Sequence, residues 1–294
     1  MMNQNLRPIT AGLAKIQPTM LQLAGATGSN YGEEWTIKLQ AGITYHVLEL
    51  ETNLKHLSTI EKVTIDINGT PVCYASGARL ELMDKALGKF QQEGRLIFDL
   101  SKFEYRSPAG IYQTQLATEL TDDVTVTIKF GARNTAGADA ALHDPASPTL
   151  RGKAWVTNTD KAGRVFSPDF YELVQHSAAA GEHTWIFPNG SPYKNIQRMV
   201  FDENEVKISQ IKVKRGSRTI STIKRSDLDF QLQRYAGITP QNGHCILDFT
   251  LFGFGTHGAI NSQGLSFELE VDGAGAIKTY VEGYTQQKFR QVAM

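Results

Sequence analysis

The sequence of 294 residues has few cysteines, no excess of either charge and no long hydrophobic run. Cys73 and Cys245 form no CxxC pair and lie in apolar runs, which predicts buried free thiols. The 30 Lys and Arg residues balance 30 Asp and Glu residues, so no basic field favours wrapping of nucleic acid. The sequence has neither a signal peptide pattern nor an apolar stretch of about 18 residues. We therefore expect a soluble protein made in a cytoplasm.

Motifs of common enzyme sites are also missing. The sequence contains no HExxH, no GxxxxGK[ST] and no GxSxG, and no two of its seven histidines stand at the spacing of metal ligands. We therefore predict no enzyme activity, no catalytic residue, no cofactor and no metal ligand. A structural calcium ion stays open, since a fold can gather distant ligands.

Short strands dominate the sequence. Alternating apolar residues mark strands such as "WTIKL" from Trp35 and "VTVTIKF" from Val124. Asn68-Gly69 lies between two such runs and predicts a hairpin with a positive-φ turn. The pattern then changes to helical spacing in "LELMDKALGKF", which Gly88 ends.

This arrangement occurs twice in the chain. "LQAGITY" from Leu39 matches "FPNGSPY" from Phe187, at 187 − 39 = 148 positions, and the hairpin and the helix repeat at the same separation. Towards the end of each copy, the separation between matched strands becomes shorter. The first copy therefore has about 8 extra residues before the strand that begins at Val124 and about 16 extra residues after it. The repeat predicts a tandem duplication of a whole β-rich domain.

Alternating strands with one helix after a hairpin favour two tandem jelly-roll β-barrels, an all-β fold. The predicted organisation is an extended N-terminal arm (1–33), a first jelly roll (34–160), a linker with a short helix capped by Ser167 (161–184), a second jelly roll (185–284) and a C-terminal tail (285–294). The predicted core residues are Trp35, Ile65, Leu82, Phe98 and Val126 in the first copy and Trp185, Val213, Phe230, Leu247 and Phe267 in the second. Trp155 is also expected in the core.

Two segments are candidates for contacts with other proteins. The arm carries spaced apolar residues, among them Leu6, Leu13 and Met20, that suit docking into grooves on neighbours. The loop 131–153 has no periodicity and contains Arg133, Asn134, His143 and Asp144. His143 and Asp144 are interpreted mainly as a solvated loop tip, with a cation site as the alternative. The basic run from Lys212 to Arg218 is interpreted as a solvated hairpin tip rather than a nucleic-acid contact.

The chain resembles the double jelly-roll major capsid proteins, and in particular the coat protein of tailless, internal-membrane bacteriophages of the corticovirus type. The stretches that carry the resemblance are "WTIKLQAGITYHVLEL", "IEKVTIDINGTPV", "SDLDFQLQRYAG", "ILDFTLFG" and "TYVEGY". The resemblance covers roughly residues 34 to 284.

The resemblance implies a structural major capsid protein that forms pseudo-hexameric homotrimeric capsomers of an icosahedral phage shell around an internal membrane. Its implied partners are itself, other capsid and vertex proteins, and the viral membrane, with no sequence-specific nucleic-acid binding. The implied location is the virion, assembled in the host cytoplasm. Two other functions stay open at this point: a jelly-roll hydrolase similar to glycan amidases, and a tandem carbohydrate-binding module, for which exposed aromatic pairs would be the sign.

Overall fold

The computed structural model describes residues 17–105, 108–159, 164–252 and 258–287. The predictions for Leu6 and Leu13 lie outside these residues. The chain divides into two compact units. The first comprises Met1–Glu81 and Gln92–Phe166, and the second comprises Leu82–Gln91 and Ser167–Met294.

The first unit is a jelly roll with one added short strand. Its strands are β1 (Thr19–Gln22), β2 (Glu34–Leu39), β3 (Ile43–Thr52), β4 (Ile60–Ile67), β5 (Thr70–Ala75), β6 (Arg95–Asp99), β7 (Leu116–Ala117), β8 (Val124–Phe130) and β9 (Leu150–Asn158). One sheet has the order β1-β9-β3-β6 with β7 beside β3, and the other has the order β2-β8-β4-β5. Apart from the short strand β7, which joins the same sheet as β6, successive strands alternate between the two sheets except at the β4–β5 hairpin. This is the jelly-roll connection.

The second unit repeats this topology. Its strands are β10 (Phe166–Ser177), β11 (Gly181–Ile186), β12 (Lys194–Asp202), β13 (Ile208–Arg215), β14 (Arg218–Lys224), β15 (His244–Asp248), β16 (Ile260–Asn261), β17 (Leu265–Val271) and β18 (Gly275–Gln286). Its sheets have the orders β10-β18-β12-β15, with β16 beside β12, and β11-β17-β13-β14. The strand order is the same in both units, which confirms the predicted duplication.

The loops account for the unequal lengths of the two copies. Between the last two long strands, the first unit has residues 131–149 where the second has 272–274, a difference of 16 residues. Before the preceding strand, residues 100–123 correspond to 249–264, a difference of 8 residues. Both insertions agree with the sequence prediction, although the long loop ends at 149 because β9 already begins at Leu150.

Each unit has a helix after its hairpin. The helices of the described residues are α1 (Gly77–Ala86), α2 (Pro108–Thr114) and α3 (Arg225–Gln231), and α3 continues as a π-helical turn (Leu232–Ala236). Short 3-10 turns lie at Leu57–Thr59, Phe103–Tyr105 and Ala140–Leu142. The chain reverses after α1 at Gly88 and after the π turn at Gly237, with φ angles of 61° and 64°. Because Leu228 to Gly237 spans one residue more than Leu80 to Gly88, the π turn accommodates the extra residue.

Two segments that the sequence predicted as a linker helix and as an extended arm contain β-strands in the structure. The helix predicted from Ser167 in the linker is wrong, since β10 occupies Phe166–Ser177. The end of the predicted arm is also part of a sheet, because β1 pairs with β9. Both strands lie at the edge of their sheets. An edge position tolerates Pro168, which cannot donate to a neighbouring strand.

Most of the predicted core is buried between the sheets. The confirmed core residues are Trp35, Ile65, Phe98, Val126, Val213, Leu247 and Phe267. The prediction is wrong for Phe230, which is 61% exposed, and for Trp155, which is 40% exposed. Trp185 is only partly buried, against the aromatic rings around Phe267. Leu82 is partly buried and packs in the second unit rather than in the first.

The hairpin turns follow their local chemistry. Asn68 and Gly69 have φ angles of 55° and 75°, as the predicted turn requires. Gly42 and Gly190 lie in corresponding turns, between β2 and β3 and between β11 and β12. In the first of these turns the residue with a positive φ angle is Gly42 (80°). In the second turn it is Asn189 (53°) and not Gly190. Gly190 is needed for another reason, since a Cβ atom there would lie 2.6 Å from the carbonyl oxygen of Ser262.

Candidate interaction surfaces

The long loop 131–149 is fastened to the first unit by a buried carboxylate. Asp144 Oδ1 accepts hydrogen bonds from the backbone amides of Lys55 (2.9 Å) and His56 (3.0 Å). Its Oδ2 accepts one from Thr59 Oγ1 (2.5 Å) and one from the amide of Asn134 (3.3 Å). Burial raises the pKa of Asp144, but these hydrogen bonds outweigh it and hold the pKa below its ordinary value. Asp144 is fully buried, so its prediction as a solvated loop tip is wrong.

The other predicted residues of this loop divide between its base and its tip. Arg133 Nε donates a hydrogen bond to the carbonyl oxygen of Asp144 (2.8 Å). His143 Nε2 lies 3.0 Å from the carbonyl oxygen of Gly137 and so stays within the loop. Residues 135–142 are exposed. The loop therefore has a fixed base and an exposed tip, and the tip is the part that is open to a partner.

Met20 lies on an exposed apolar row of the first unit. On β1 it pairs directly with Trp155 on β9, which in turn pairs with Val47 on β3. Met20 is 58% exposed and Trp155 is 40% exposed. Adjacent exposed apolar side chains on one sheet face are typical of a contact surface.

Two of the four basic side chains in the run from Lys212 to Arg218 are ion-paired. Lys212 Nζ pairs with Glu182 (2.5 Å) and Glu268 (3.2 Å), and Lys214 also pairs with Glu268. These acidic partners lie on β17, which is next to β13 in the sheet, and on β11, which is next to β17. The strand part of the hairpin is therefore ion-paired, whereas its tip from Arg215 to Arg218 is exposed, as the sequence predicted.

A buried ion network joins three strands of the second unit. Arg198 on β12 pairs with Asp248 on β15 (2.8 Å) and with Glu282 on β18 (3.2 Å). Asp248 also accepts hydrogen bonds from the amide and hydroxyl of Thr250 (2.6 and 2.7 Å). The network ties the neighbouring loop to the sheet, and its carboxylates are occupied by structural contacts.

An exposed aromatic face lies at the end of α3. It consists of Phe230, Tyr235 and Phe252, which are 61%, 51% and 64% exposed. The rings of Tyr235 and Phe252 are 5.1 Å apart between centroids. Beside them is a surface pocket of about 350 Å³. It is lined by Ser221, Thr222, Ile223, Asp227, Phe230, Gln231 and Tyr235.

Neither a metal cluster nor a membrane span was found in the described part of the chain. Across residues 17–105, 108–159, 164–252 and 258–287, no group of three or more His, Cys, Asp or Glu side chains could hold a metal ion. Within the same ranges, no helix is long and apolar enough to cross a membrane.

Comparison with known proteins identifies both halves of the chain. Residues 20–157 match the model of the viral coat protein P2 N-terminal domain, and residues 167–287 match that of the viral coat protein P2 C-terminal domain. These bounds include all but the first residue of β1 and of β10. No curated protein matches the sequence.

Solved structures show the same fold at low sequence identity. The major capsid protein P2 of bacteriophage PM2 aligns with a TM-score of 0.78 and 15% identity, over 93% of this chain and 99% of the other. The PBCV-1 virus capsid aligns with a TM-score of 0.60 and 12% identity, over 91% and 93%. The Faustovirus major capsid protein aligns with a TM-score of 0.58 and 8% identity, over 92% and 90%. The tandem jelly-roll arrangement therefore extends over nearly all of the chain.

Proposed function

The chain belongs to the viral coat protein P2 family, and on that premise we propose that three copies form one capsomer of an icosahedral phage shell. Membership in a coat protein family makes the chain a structural component of a virion rather than an enzyme. The hydrolase and the carbohydrate-binding module are therefore set aside.

The observation that carries the proposal is the identical strand order of the two units. Two similar jelly rolls in one chain, taken three times about an axis, give six similar domains. A ring of six such domains has a nearly hexagonal outline, although its symmetry is only three-fold. Such a capsomer can be surrounded by six neighbours in a closed lattice.

The finer parts of the proposal concern its partners. We propose that capsomers contact one another and vertex proteins, and that the shell surrounds an internal membrane and is assembled in the host cytoplasm. The exposed tip 135–142, the Met20–Trp155 row and the N-terminal segment with Leu6 and Leu13 are the proposed contact regions. A structural calcium ion in the shell also remains a proposal.

Solution mass tests the capsomer directly. Sedimentation of the purified chain should give three times 32.5 kDa, and electron microscopy should show particles of three-fold symmetry with a hexagonal outline. A chain that stays monomeric under all conditions in which it is folded would contradict the trimer.

A further inference from the structure

The helix of the first jelly roll ends in the second unit. The division between the units falls inside α1, and the segment Leu82–Gln91 belongs to the second. Met83 and Ala86 are buried in the hydrophobic core cluster of that unit, and Leu82 and Leu87 pack against it. The first jelly roll thus contributes the end of its helix to the core of the jelly roll that follows.

The corresponding face of α3 has no such cover among the described residues. Leu82 matches Phe230 at the separation of the repeat, and Ala86 matches Tyr235 once the extra residue of the π turn is included. Leu82 is partly buried and Ala86 is fully buried, whereas Phe230 is 61% and Tyr235 is 51% exposed. A face that is buried in one copy of the duplicated domain is therefore exposed in the other.

The chemistry of this face is that of an interface. The exposed rings of Tyr235 and Phe252 are in contact, and the exposed Phe230 lines the same pocket as Tyr235. Aromatic side chains are enriched where protein surfaces associate. The adjacent pocket of about 350 Å³ can receive a side chain. The π turn also presents Tyr235 at the rim of this pocket, and such turns occur frequently at functional sites.

We propose that the aromatic face of α3 is covered by a second copy of this chain. The proposal rests on the trimer proposed above and names one of its contacts. If each jelly roll contributes its helix end to the next one in a ring, the first finds its neighbour in its own chain. The second finds its neighbour in the next copy. Such a heterologous contact closes into a ring when the rotation per chain divides a full turn, and three chains complete the ring of six jelly rolls proposed above.

The repeat also indicates which part of the second copy is involved. In the second unit, the backbone amide of Thr239 donates a hydrogen bond to the carbonyl oxygen of Ala86 (2.7 Å). Counting from the matched residues Gly88 and Gly237, the residue of the first jelly roll that corresponds to Thr239 is Phe90. Phe90 is 89% exposed. Phe90 of the second copy therefore meets the end of the helix that carries Tyr235.

Charge placed on this face tests the proposal. In the double variant Phe230→Asp/Tyr235→Asp, the sedimenting mass should fall from three chains to one at the concentration where the unchanged chain is a trimer. Val174→Asp is the control, since Val174 is 59% exposed on β10 and should leave the trimer intact. Because all three substituted side chains are exposed, the thermal unfolding of each variant should match that of the unchanged chain. Persistence of the trimer in the double variant would overturn the proposal.

A disulfide crosslink tests the geometry independently of stability. The variant Phe90→Cys/Tyr235→Cys, oxidised with copper phenanthroline, should give covalent dimers and trimers on a denaturing gel. Phe90→Cys/Val174→Cys should not, and the native Cys73 and Cys245 are buried. If the unchanged chain is a trimer but neither test gives the expected result, only this contact is wrong. A chain that never associates would overturn the trimer as well.

Discussion

The two jelly rolls share a β-bulge at the same place and use it differently. In the first unit the pairing of β3 with β9 shifts between Tyr45 and Val47, so His46 is the bulged residue. In the second unit the pairing of β12 with β18 shifts between Ile196 and Arg198, so Gln197 is the bulged residue. Both bulged side chains are buried and polar. The backbone irregularity has thus been kept in both copies, whereas the side chain at its centre differs.

The residues beside the bulge differ more strongly. The row Arg198, Asp248 and Glu282 of the second unit is a buried ion network. At the matched positions of the first unit, Val47 pairs with Asp99 on one neighbouring strand and with the exposed Trp155 on the other. One duplicated sheet face therefore stabilises its strands by ion pairs, and the other presents an apolar row to the outside. Strand pairing depends on the backbone, which leaves these side chains free to diverge.

Loss of one partner of the buried network is expected to have the largest effect. Asp248→Ala leaves Arg198 buried with half of its compensation and should lower the free energy of unfolding by about 3–5 kcal/mol. Asp99→Ala at the matched position should cost clearly less, because Asp99 is only partly buried. Urea denaturation of both variants measures the difference. Equal losses would mean that the two sheet faces do not differ as described.

Truncation of the core should also affect the units unequally. Phe267 is in contact with the rings of Trp185, Phe187 and Phe201, so Phe267→Ala should cost about 3–5 kcal/mol of unfolding free energy. Val126 occupies the matched position on β8, and Val126→Ala removes a much smaller side chain. Chemical denaturation should therefore show the larger loss of unfolding free energy for Phe267→Ala. A larger loss for Val126→Ala would contradict the description of Phe267 as the centre of the aromatic core.

The bulge of the first unit predicts a dependence on pH that the bulge of the second unit, with Gln197 at its centre, lacks. Burial lowers the pKa of His46 to about 4, and its ring nitrogens lie 2.7 Å from Ser101 Oγ and 2.9 Å from Thr157 Oγ1. The unfolded chain therefore binds a proton more readily than the folded one between about pH 6.5 and pH 4. This contribution to stability is complete above pH 6.5 and is lost as the pH falls towards 4, by about 2 kcal/mol at pH 5.

The variant His46→Gln, which copies Gln197, provides the matched comparison. The difference in unfolding free energy between pH 7.5 and pH 5 should be about 2 kcal/mol smaller in this variant than in the unchanged chain. Urea denaturation at the two pH values measures it. The same pH dependence in both proteins would show that His46 is not the group responsible.

The smallest effect is expected from the loop that the second unit lacks. Deletion of residues 136–141 removes only exposed residues and should change the unfolding free energy by no more than about 0.5 kcal/mol. Asp144→Ala should cost more, because it removes the acceptor of two amides near β4 and of Thr59. Thermal unfolding compares the two, and a large loss from the deletion would show that the tip supports the fold.

Much of the fold was predictable because its signals are local. The alternation in "VTVTIKF", the positive φ angles required at Asn68 and Gly69, and the glycine after each helix depend on neighbouring residues alone. The duplication was readable for the same reason, since each copy repeats the same local signals in the same order. The insertions of 8 and 16 residues followed from the changing separation of matched strands.

The misplaced elements are those whose state depends on distant partners. Strands β1 and β10 lie at sheet edges and become strands only through β9 and β18, so their sequences carry weak alternation and tolerate Pro168. Met20 was assigned to an extended arm, and its pairing with Trp155 could not be predicted, because the partner strand lies more than 130 positions away in the sequence. Asp144 was taken for a loop tip because three of its four hydrogen-bond donors, on Lys55, His56 and Thr59, lie more than 80 positions away in the sequence.

The sequence by itself determined that this protein is two tandem jelly rolls, because periodicity, turn residues and the internal repeat are properties of adjacent residues. Only the tertiary structure decided which side of each helix is covered. Leu82 and Phe230 are matched apolar residues with the same helical spacing, yet Leu82 packs against the core of the second unit and Phe230 is exposed. Burial depends on what the rest of the chain places opposite a side chain, and that arrangement is set by long-range packing rather than by local sequence.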